Sequence, residues 1–597
     1  MQLTKDEAVK FKKLGISSII ELALLVPHSY EDYRLHDTLL PQKPQLIDAT
    51  VESVYKAPNS IQITFFAHNL GYTLQGVLFR PKPYMLHQFQ VGARDYYYGV
   101  VDCKQGHCSM SMPKKITQVG KITPKYKTAL RNDVMQRLVK NLVTRENLFD
   151  AKLKEDVVTE LLKVHFPSDE FLQSKEMGEK TLWALKYAEL FSYMQALAGK
   201  RRYFKTFSSK VGDYKPWSKT LPFTLTDEQI NAIEDIRRDM QKDVAAKRMV
   251  VGDVGSGKTM VILAAAYMNM PNRSVLMAPT TILANQLFDE AKKYLPALNI
   301  ALVTNKTKKS DLKEYDFIIG THALLYRELP QASLIIVDEQ HRFGTLQRNM
   351  LEKLVSEQEI KPHFIQFSAT PIPRTQAMIE SAHIDVSLIT TTPFTKDIDS
   401  KVIRKKDFKE LLLHVKAEIA KNNQVLIVYP LVEQSEALEY QSIEEARSYW
   451  EKNFENVYIT HGKDKEKEQV LLDFREKGDI LIATTVVEVG ISLPRLSTVV
   501  IVGAERLGLS TLHQLRGRVS RTGLKGYCYL YTNKSKSERL DEFIRTKSGF
   551  DIANLDLKYR KSGDLLKGIQ QSGSQFQWVD FAEDENIVKE VKNDLGI

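Results

Sequence analysis

Gly252-Asp253-Val254-Gly255-Ser256-Gly257-Lys258-Thr259 follows the apolar run Met249-Val250-Val251 and precedes the helix-favouring residues 260–268. In that setting the glycines let backbone N–H groups curl around phosphate oxygens, Lys258 reaches the β- and γ-phosphates, and Thr259 offers a hydroxyl to Mg²⁺. All eight residues are therefore expected to line a nucleoside triphosphate site with ATP and Mg²⁺ as its cofactors.

Around this string the pattern is α/β. Apolar runs at 249–251, 274–277, 317–319, 334–337 and 364–367 suit buried parallel strands. A second set at 425–429, 457–460, 480–484, 498–502 and 527–530 carries no phosphate loop. Two like-sized lobes sharing one triphosphate site place the nucleotide in the cleft between them. Earlier in the chain, β-rich runs at 50–55, 61–66, 73–79 and 96–101 alternate with turn residues, which predicts a small all-β barrel or sandwich; an OB-like barrel is the reading adopted. Residues from about 125 to 215 have helical spacing. The expected domains are a helical segment 1–40, the barrel 41–120, a helical linker 121–215, α/β lobes 216–395 and 396–540, and a C-terminal element 541–597.

At 597 residues the chain exceeds what one hydrophobic core can organise. Its three cysteines, Cys103, Cys108 and Cys528, are too few for a disulfide framework and point to a reducing compartment, with the cytoplasm as default. Cys103 and Cys108 flank His107 without a fourth ligand, so they read as ordinary strand residues and no structural metal is expected. No segment reaches membrane-spanning length, and no membrane partner is expected. A net charge of +10 permits a polyanionic partner without requiring one.

The strand Leu334-Ile335-Ile336-Val337 ends in Asp338-Glu339-Gln340-His341, two carboxylates at the carboxyl edge of the sheet. Asp338 would hold the Mg²⁺ shell and Glu339 would orient the attacking water, because phosphoryl transfer depends on positioning and charge neutralisation. Gln340 is grouped with the catalytic set. In the second lobe Gln514-Leu515-Arg516-Gly517-Arg518-Val519-Ser520-Arg521 spaces Arg518 and Arg521 one helical turn apart. As arginine fingers they would contribute about 10³ to 10⁵ in rate, or roughly 4 to 7 kcal/mol. An exposed basic helix face is the usual explanation of such spacing, but a two-lobe ATPase needs a cation from across the cleft.

These blocks, with Ser368-Ala369-Thr370, resemble the superfamily 2 helicases and translocases over about residues 220–530. The resemblance implies that Ser-Ala-Thr couples the nucleotide site to nucleic acid and that Phe223 and Gln229 contact adenine. Longer strings resemble the bacterial RecG family: Ile336-Val337-Asp338-Glu339-Gln340-His341-Arg342-Phe343-Gly344, Phe367-Ser368-Ala369-Thr370-Pro371-Ile372-Pro373-Arg374-Thr375, and Gly503-Ala504-Glu505-Arg506-Leu507-Gly508-Leu509-Ser510 with His513-Gln514-Leu515-Arg516-Gly517-Arg518. The Mfd family shares much of this core. The flanks separate them: Leu24-Leu25-Val26-Pro27 and Tyr30-Glu31-Asp32-Tyr33-Arg34 resemble the entry to a RecG wedge domain. Asp556-Leu557-Lys558-Tyr559-Arg560 and Gln570-Gln571-Ser572-Gly573 resemble the RecG and Mfd translocation element, with Arg560 and Gln571 at its polar DNA-facing positions.

OB-like surfaces hold single strands with basic grooves and aromatic platforms, each stacked base being worth roughly 1 to 3 kcal/mol. Phe79, Arg80, Lys82 and Tyr84 are the candidates; the two aromatics serve equally well as barrel core. Ser492, in Gly490-Ile491-Ser492, stands where most relatives of the motif carry Asp, which removes charge assistance from a hydrogen bond to the nucleotide. The resemblance implies an ATP-dependent 3′-to-5′ DNA helicase and double-strand translocase, monomeric and nucleoid-associated in the bacterial cytoplasm. It would remodel forks, four-way junctions and R-loops, with a single-strand-binding protein as a candidate partner. The alternatives are an Mfd-like polymerase-displacing translocase, an RNA helicase, or a nucleic-acid-binding protein with a decayed ATPase.

Overall fold

The computed structural model describes residues 3–597 apart from 41, 83–84, 86, 105–106, 170, 172–176, 208–209, 310, 357–358, 395, 431–439, 463, 485–491, 521–522 and 568–575. It comprises two compact units, Met1–Tyr193 and Met194–Ile597.

In the first unit, strands β2 (Pro44–Ala57), β3 (Ser60–Ala67), β4 (Tyr72–Phe79), β5 (Arg94–Lys104) and β6 (His107–Ile116) close into a barrel in the order β2-β3-β4-β6-β5. Alternate residues point inward, as a two-residue period demands: Ile47, Ala49 and Val51 meet Ile61, Ile63, Phe65, Leu74, Tyr97, Val101 and Met110. Gly76 is required where Phe65 crosses the wall, since a Cβ there would lie 2.4 Å from the phenyl ring. The expected OB-like barrel is present. Its strand β6 was not anticipated, because His107-Cys108-Ser109-Met110-Ser111 lacks the apolar alternation of the other strands.

The cysteine expectation needs correction. Cys103 and Cys108 are opposed residues of the β5–β6 pair and form a disulfide. Their pairing is a matter of cross-strand register, which their number in the chain does not reveal. Cys528 is free and buried.

Strand β1 (Ser29–Asp32) pairs antiparallel with β7 (Ile122–Lys125), and the helices Asn132–Leu142, Arg145–Asp150, Glu155–His165 and Glu179–Ala198 follow. The fully buried His165 imidazole accepts from the Tyr126 hydroxyl at Nδ1 (2.8 Å) and donates from Nε2 to the Ala23 carbonyl (2.8 Å).

The second unit holds two all-parallel sheets. The first has the order β10-β11-β9-β12-β13-β8-β14, from β8 (Lys247–Gly252), β9 (Ser274–Met277), β10 (Ile300–Val303), β11 (Phe317–Gly320), β12 (Leu334–Val337), β13 (His363–Ser368) and β14 (Asp385–Ile389). Helices cover both faces, so strand residues alternate between two cores: Val250, Leu276, Ile336 and Ile365 on one side, Val275, Ile318, Ile335 and Phe364 on the other. The second sheet has the order β15-β20-β19-β16-β18-β17, from β15 (Ile398–Ile403), β16 (Gln424–Val428), β17 (Val457–Thr460), β18 (Ile480–Ala483), β19 (Leu496–Val502) and β20 (Gly526–Tyr531). Both sheets are the parallel α/β lobes expected, of the RecA-like kind; the strands not anticipated are β10, β14 and β15.

The helix Gly549–Lys567 begins where the lobes meet. Phe550 packs with Met249, Val251 and Ile384 of the first lobe, whereas Ile552, two residues on, joins the core of the second. The last helix, Glu585–Leu595, returns to the first lobe, where Lys592 Nζ donates to Ser381 Oγ at 2.8 Å. No helix among the described residues is long and apolar enough to cross a membrane.

Candidate active site at the seam of two parallel sheets

Three neighbouring strands of the first sheet deliver the site. β12 leads directly into Asp338, β13 ends at Ser368 and β8 runs into the phosphate loop, all at one carboxyl edge; with strands about 4.8 Å apart, the outer two lie about 10 Å from each other. The loop is shaped by backbone that side-chained residues rarely adopt: Gly255 has φ 83° and Gly257 φ 75°. Gly252 is equally constrained, since a Cβ there would meet Ser256 Oγ at 2.4 Å. The Ser256 hydroxyl is fully buried, and no hydrogen-bond partner is described for it within the protein, so the loop retains a polar atom suited to an incoming oxygen ligand.

Lys258 opens the helix Lys258–Met268, its Nζ donating to the carbonyls of Gly252 (2.8 Å) and Asp253 (3.0 Å); Thr259 follows, half-buried, in the first turn. Gln229, in the first turn of the helix Asp227–Met240, accepts from the Thr226 amide through Oε1 and donates through Nε2 to the Ser256 carbonyl at 2.8 Å. Its amide thus braces the loop. Phe223 is 39% exposed and stands edge-on to Tyr294.

Burial, and then the neighbouring Glu339, push the Asp338 carboxyl up to about 7 although Lys258 opposes the shift. A buried carboxylate in that state gains strongly from a nearby cation, so the residues fit Mg²⁺. Among the described residues there is no group of three or more His, Cys, Asp and Glu that could hold a metal ion. Glu339 has φ 49°, a conformation costing of order 1 to 3 kcal/mol in a residue with a side chain. That backbone lets Glu339 Oε2 accept from the Ala369 amide at 3.2 Å, and Thr370 Oγ1 accepts from Gln514 Nε2 of the second lobe at 2.8 Å. The carboxylate, the Ser-Ala-Thr turn and the second lobe are thereby linked in series. Gln340 donates to Met249 Sδ on β8 at 2.9 Å and accepts from Arg348 at 2.9 Å.

From the second lobe the helix Leu509–Arg516 brings His513, Gln514 and Arg516, followed by the buried Arg518. Asp253 is the meeting point. Its Oδ1 accepts from His513 Nε2 (2.5 Å) and from the Val254 amide (2.6 Å), and its Oδ2 accepts from the Gly549 amide (2.8 Å). Burial alone would raise this carboxyl; the His513 bond and the two amides overrule it and hold it down to about 2. For His513 burial outweighs the carboxylate and lowers the imidazole. The tautomer follows from Arg516, a guanidinium that only donates: it gives a hydrogen bond to His513 Nδ1 (3.1 Å), so the proton of the neutral ring sits on Nε2. Arg516 also donates to the carbonyls of Phe543 (3.2 Å), Thr546 (2.8 Å) and Lys547 (3.2 Å), which lead into the helix Gly549–Lys567.

Three participants carried no recognisable local signal: His513 as a partner of the loop, Gly549, and Lys396. Lys396 Nζ donates to the Val254 carbonyl at 2.7 Å and approaches the Gly517 carbonyl at 3.5 Å. Arg521 and Gln571 lie outside the described residues, and of Arg560 only its place in the helix Gly549–Lys567 is described. Residues 485–491 are also outside; Ser492 is half-buried.

On the barrel, Phe79 is 57% exposed at the end of β4, which excludes it from the core; Arg80 (φ 46°) and Lys82 follow it on the surface. Tyr84 lies outside the described residues.

Comparison with known proteins gives a consistent set. The DEAD/DEAH box helicase family matches residues 226–379 and the helicase conserved C-terminal domain matches residues 404–523. An ATP-dependent DNA helicase RecG from Helicobacter pylori (strain J99) is 43% identical over 614 residues, covering 100% of this chain and 98% of the relative. One from Streptococcus pneumoniae is 33% identical over 642 residues, covering 98% and 93%. Among solved structures, RecG bound to a three-way DNA junction aligns with a TM-score of 0.57 and 27% identity, over 99% of this chain and 84% of that one.

Proposed function

The chain belongs to the RecG family of ATP-dependent DNA helicases, and from that membership we propose that it couples ATP hydrolysis to the remodelling of branched DNA. The observation that carries the coupling is Asp253, a phosphate-loop side chain hydrogen-bonded at once to the second lobe and to the first residue of the helix Gly549–Lys567.

Lys258, Thr259 and the amides of residues 252–259 would hold the triphosphate, with Phe223 and Gln229 toward adenine and Asp338 beside Thr259 for Mg²⁺. Mg²⁺ there supplies neutralisation of phosphate charge. Glu339 positions the attacking water and draws its proton, while its bond to Ala369 reports the event to Thr370 and Gln514. Gln340 would support Glu339 from the neighbouring turn, and Arg518 and Arg521 would act on the phosphate as arginine fingers of the second lobe. Ser492 can hydrogen-bond the nucleotide, but without the charge of an Asp.

The domain assignment extends the reading. Residues 41–120 would act as a wedge through Phe79, Arg80, Lys82 and Tyr84, and residues 541–597 as the element that grips duplex through Arg560 and Gln571. A monomer moving 3′ to 5′ would then reverse stalled forks, migrate four-way junctions and clear R-loops in a bacterial nucleoid, with a single-strand-binding protein as recruiter.

ATPase stimulation by a four-way DNA junction, linear duplex and structured RNA tests this. The junction should stimulate most; preference for RNA, or equal response to linear duplex, would overturn it.

A further inference from the structure

The connection between the two parallel sheets, residues 390–397 from the end of β14 to the start of β15, is strapped along the phosphate loop. At its start Glu228, next to Gln229 in the first turn of the helix Asp227–Met240, accepts from the amides of Thr390 (2.5 Å) and Thr391 (2.7 Å) and from their hydroxyls (2.7 and 3.0 Å). Burial raises that carboxyl, yet the four bonds outweigh it and hold it below its ordinary value. Farther on, Pro393 Cγ stands 4.0 Å from the point that a Cβ on Gly257 would occupy. Near the end Lys396 reaches the loop itself, its Nζ donating to the Val254 carbonyl at 2.7 Å and to the Gly517 carbonyl at 3.5 Å.

These two carbonyls belong to a tight contact between the lobes. A Cβ on Gly517 would lie 2.8 Å from Val254 Cγ1, so the second lobe meets the loop there with no room for a side chain. A Cβ on Gly255 would lie 3.0 Å from Lys396 Nζ, so the ammonium occupies the space beside the loop. Gly517 ends the helix Leu509–Arg516, and its carbonyl is among those that a helix end leaves without an intrahelical donor. It shares a rigid peptide plane with the nitrogen of the buried Arg518. An ammonium has three donors and no acceptor, so Lys396 can serve both lobes at once.

We propose that Lys396 is a positioning residue for ATP hydrolysis: from the connection between the lobes it fixes Gly517, and through that peptide Arg518, against the phosphate loop. The proposal rests on the reading of Arg518 as an arginine finger. Such a finger gives about 10³ to 10⁵ in rate only where it meets the developing charge, and a misplacement of about 1 Å can cost about a hundredfold. The plainer role for Lys396 is a cation that steadies the end of the helix Leu509–Arg516 by its charge. That role would register in stability and leave turnover alone.

Steady-state ATP hydrolysis by the full chain, stimulated by a four-way DNA junction, is measured for wild type, Lys396→Met, Lys396→Arg, Arg518→Ala and the double variant Lys396→Met with Arg518→Ala. Methionine keeps the reach of the side chain without its donors. Lys396→Met should lower kcat about thirtyfold while KM for ATP, and the affinity of a fluorescent ATP analogue, stay within about threefold, because Lys258 and the loop amides remain. Lys396→Arg restores charge and donors and should bring kcat back to within about fivefold of wild type. Arg518→Ala should be slow, and adding Lys396→Met should slow it no further, as for two residues acting in series. Wild-type kcat in Lys396→Met with Arg518→Ala slow overturns the proposal and leaves the arginine-finger reading standing, and so does an effect of Lys396→Met confined to the urea unfolding midpoint. Additive slowing in the double variant also overturns it, by placing Lys396 on another path such as the His513–Asp253 bond. Wild-type turnover in Arg518→Ala would remove the arginine-finger reading and the proposal with it.

Discussion

Asp253 accepts hydrogen bonds from His513 and from the Gly549 amide, so one carboxylate of the phosphate loop ties down both the second lobe and the root of the following helix. The loop is thus sensitive to lobe position through a residue whose two neighbours lie 260 and 296 positions away.

Asp253→Asn should uncouple the motor. An amide turns one of the two accepting oxygens into an NH₂ group that faces the His513 or the Gly549 N–H, and a buried unmatched donor costs about 1 to 3 kcal/mol. Junction unwinding is expected to fall about ten- to a hundredfold, with fluorescent nucleotide affinity changing less than about threefold. Gly549→Ala should act alike, because its Cβ would meet Asp253 Oδ1 at 2.6 Å and His513 Nε2 at 2.7 Å. Wild-type unwinding by both variants would remove Asp253 from the coupling path.

Lys258→Ala and Glu339→Gln should separate binding from chemistry. Loss of Lys258 is expected to abolish nucleotide binding, measured by filter retention. Glu339→Gln should bind normally yet hydrolyse about 10² to 10⁴ more slowly, the usual range for a removed general base.

Acid should destabilise both units over the same pH range. Burial holds His165 and His363 down to about 4, against an ordinary value near 6.5. Below 6.5 the unfolded chain takes up protons that the folded imidazoles refuse, so stability is full above that pH and falls as pH drops toward 4. Each histidine can remove about 3 kcal/mol over the window. Urea unfolding at pH 7.5, 6.0 and 4.5 should show the loss, and unchanged midpoints would contradict the neutral assignments.

On the barrel, Phe79→Ala should leave thermal stability within about 0.5 kcal/mol while reducing junction unwinding, since the ring is exposed. Phe65→Ala, in the barrel core, should cost about 3 to 5 kcal/mol. A large stability loss in Phe79→Ala would instead make that ring structural.

What could be read beforehand follows a physical divide. Strands buried on both faces, such as Leu334-Ile335-Ile336-Val337, declare themselves as unbroken apolar runs. The edge strand β15, Ile398-Asp399-Ser400-Lys401-Val402-Ile403, does not, because one side meets water and half of its residues are polar, which breaks the apolar run. The phosphate loop and the Asp338-Glu339 pair are local, and their chemistry is legible in consecutive residues. The seam is not local: Lys396, His513 and Gly549 come together only after two sheets have folded, and no spacing rule joins them to Asp253. The Cys103–Cys108 disulfide was missed for a related reason, since strand register decides which side chains face each other.

Phe550 and Ile552 clamp the start of the helix Gly549–Lys567 into opposite lobes, which makes that helix a lever with its fulcrum at the seam. Its 19 residues extend about 28 Å at about 1.5 Å each. Every degree of rotation at the root therefore sweeps the far end by about 0.5 Å. A turn of about seven degrees would carry it through about 3.4 Å, so a small rotation at the seam becomes a displacement of several ångströms at the far end of the helix.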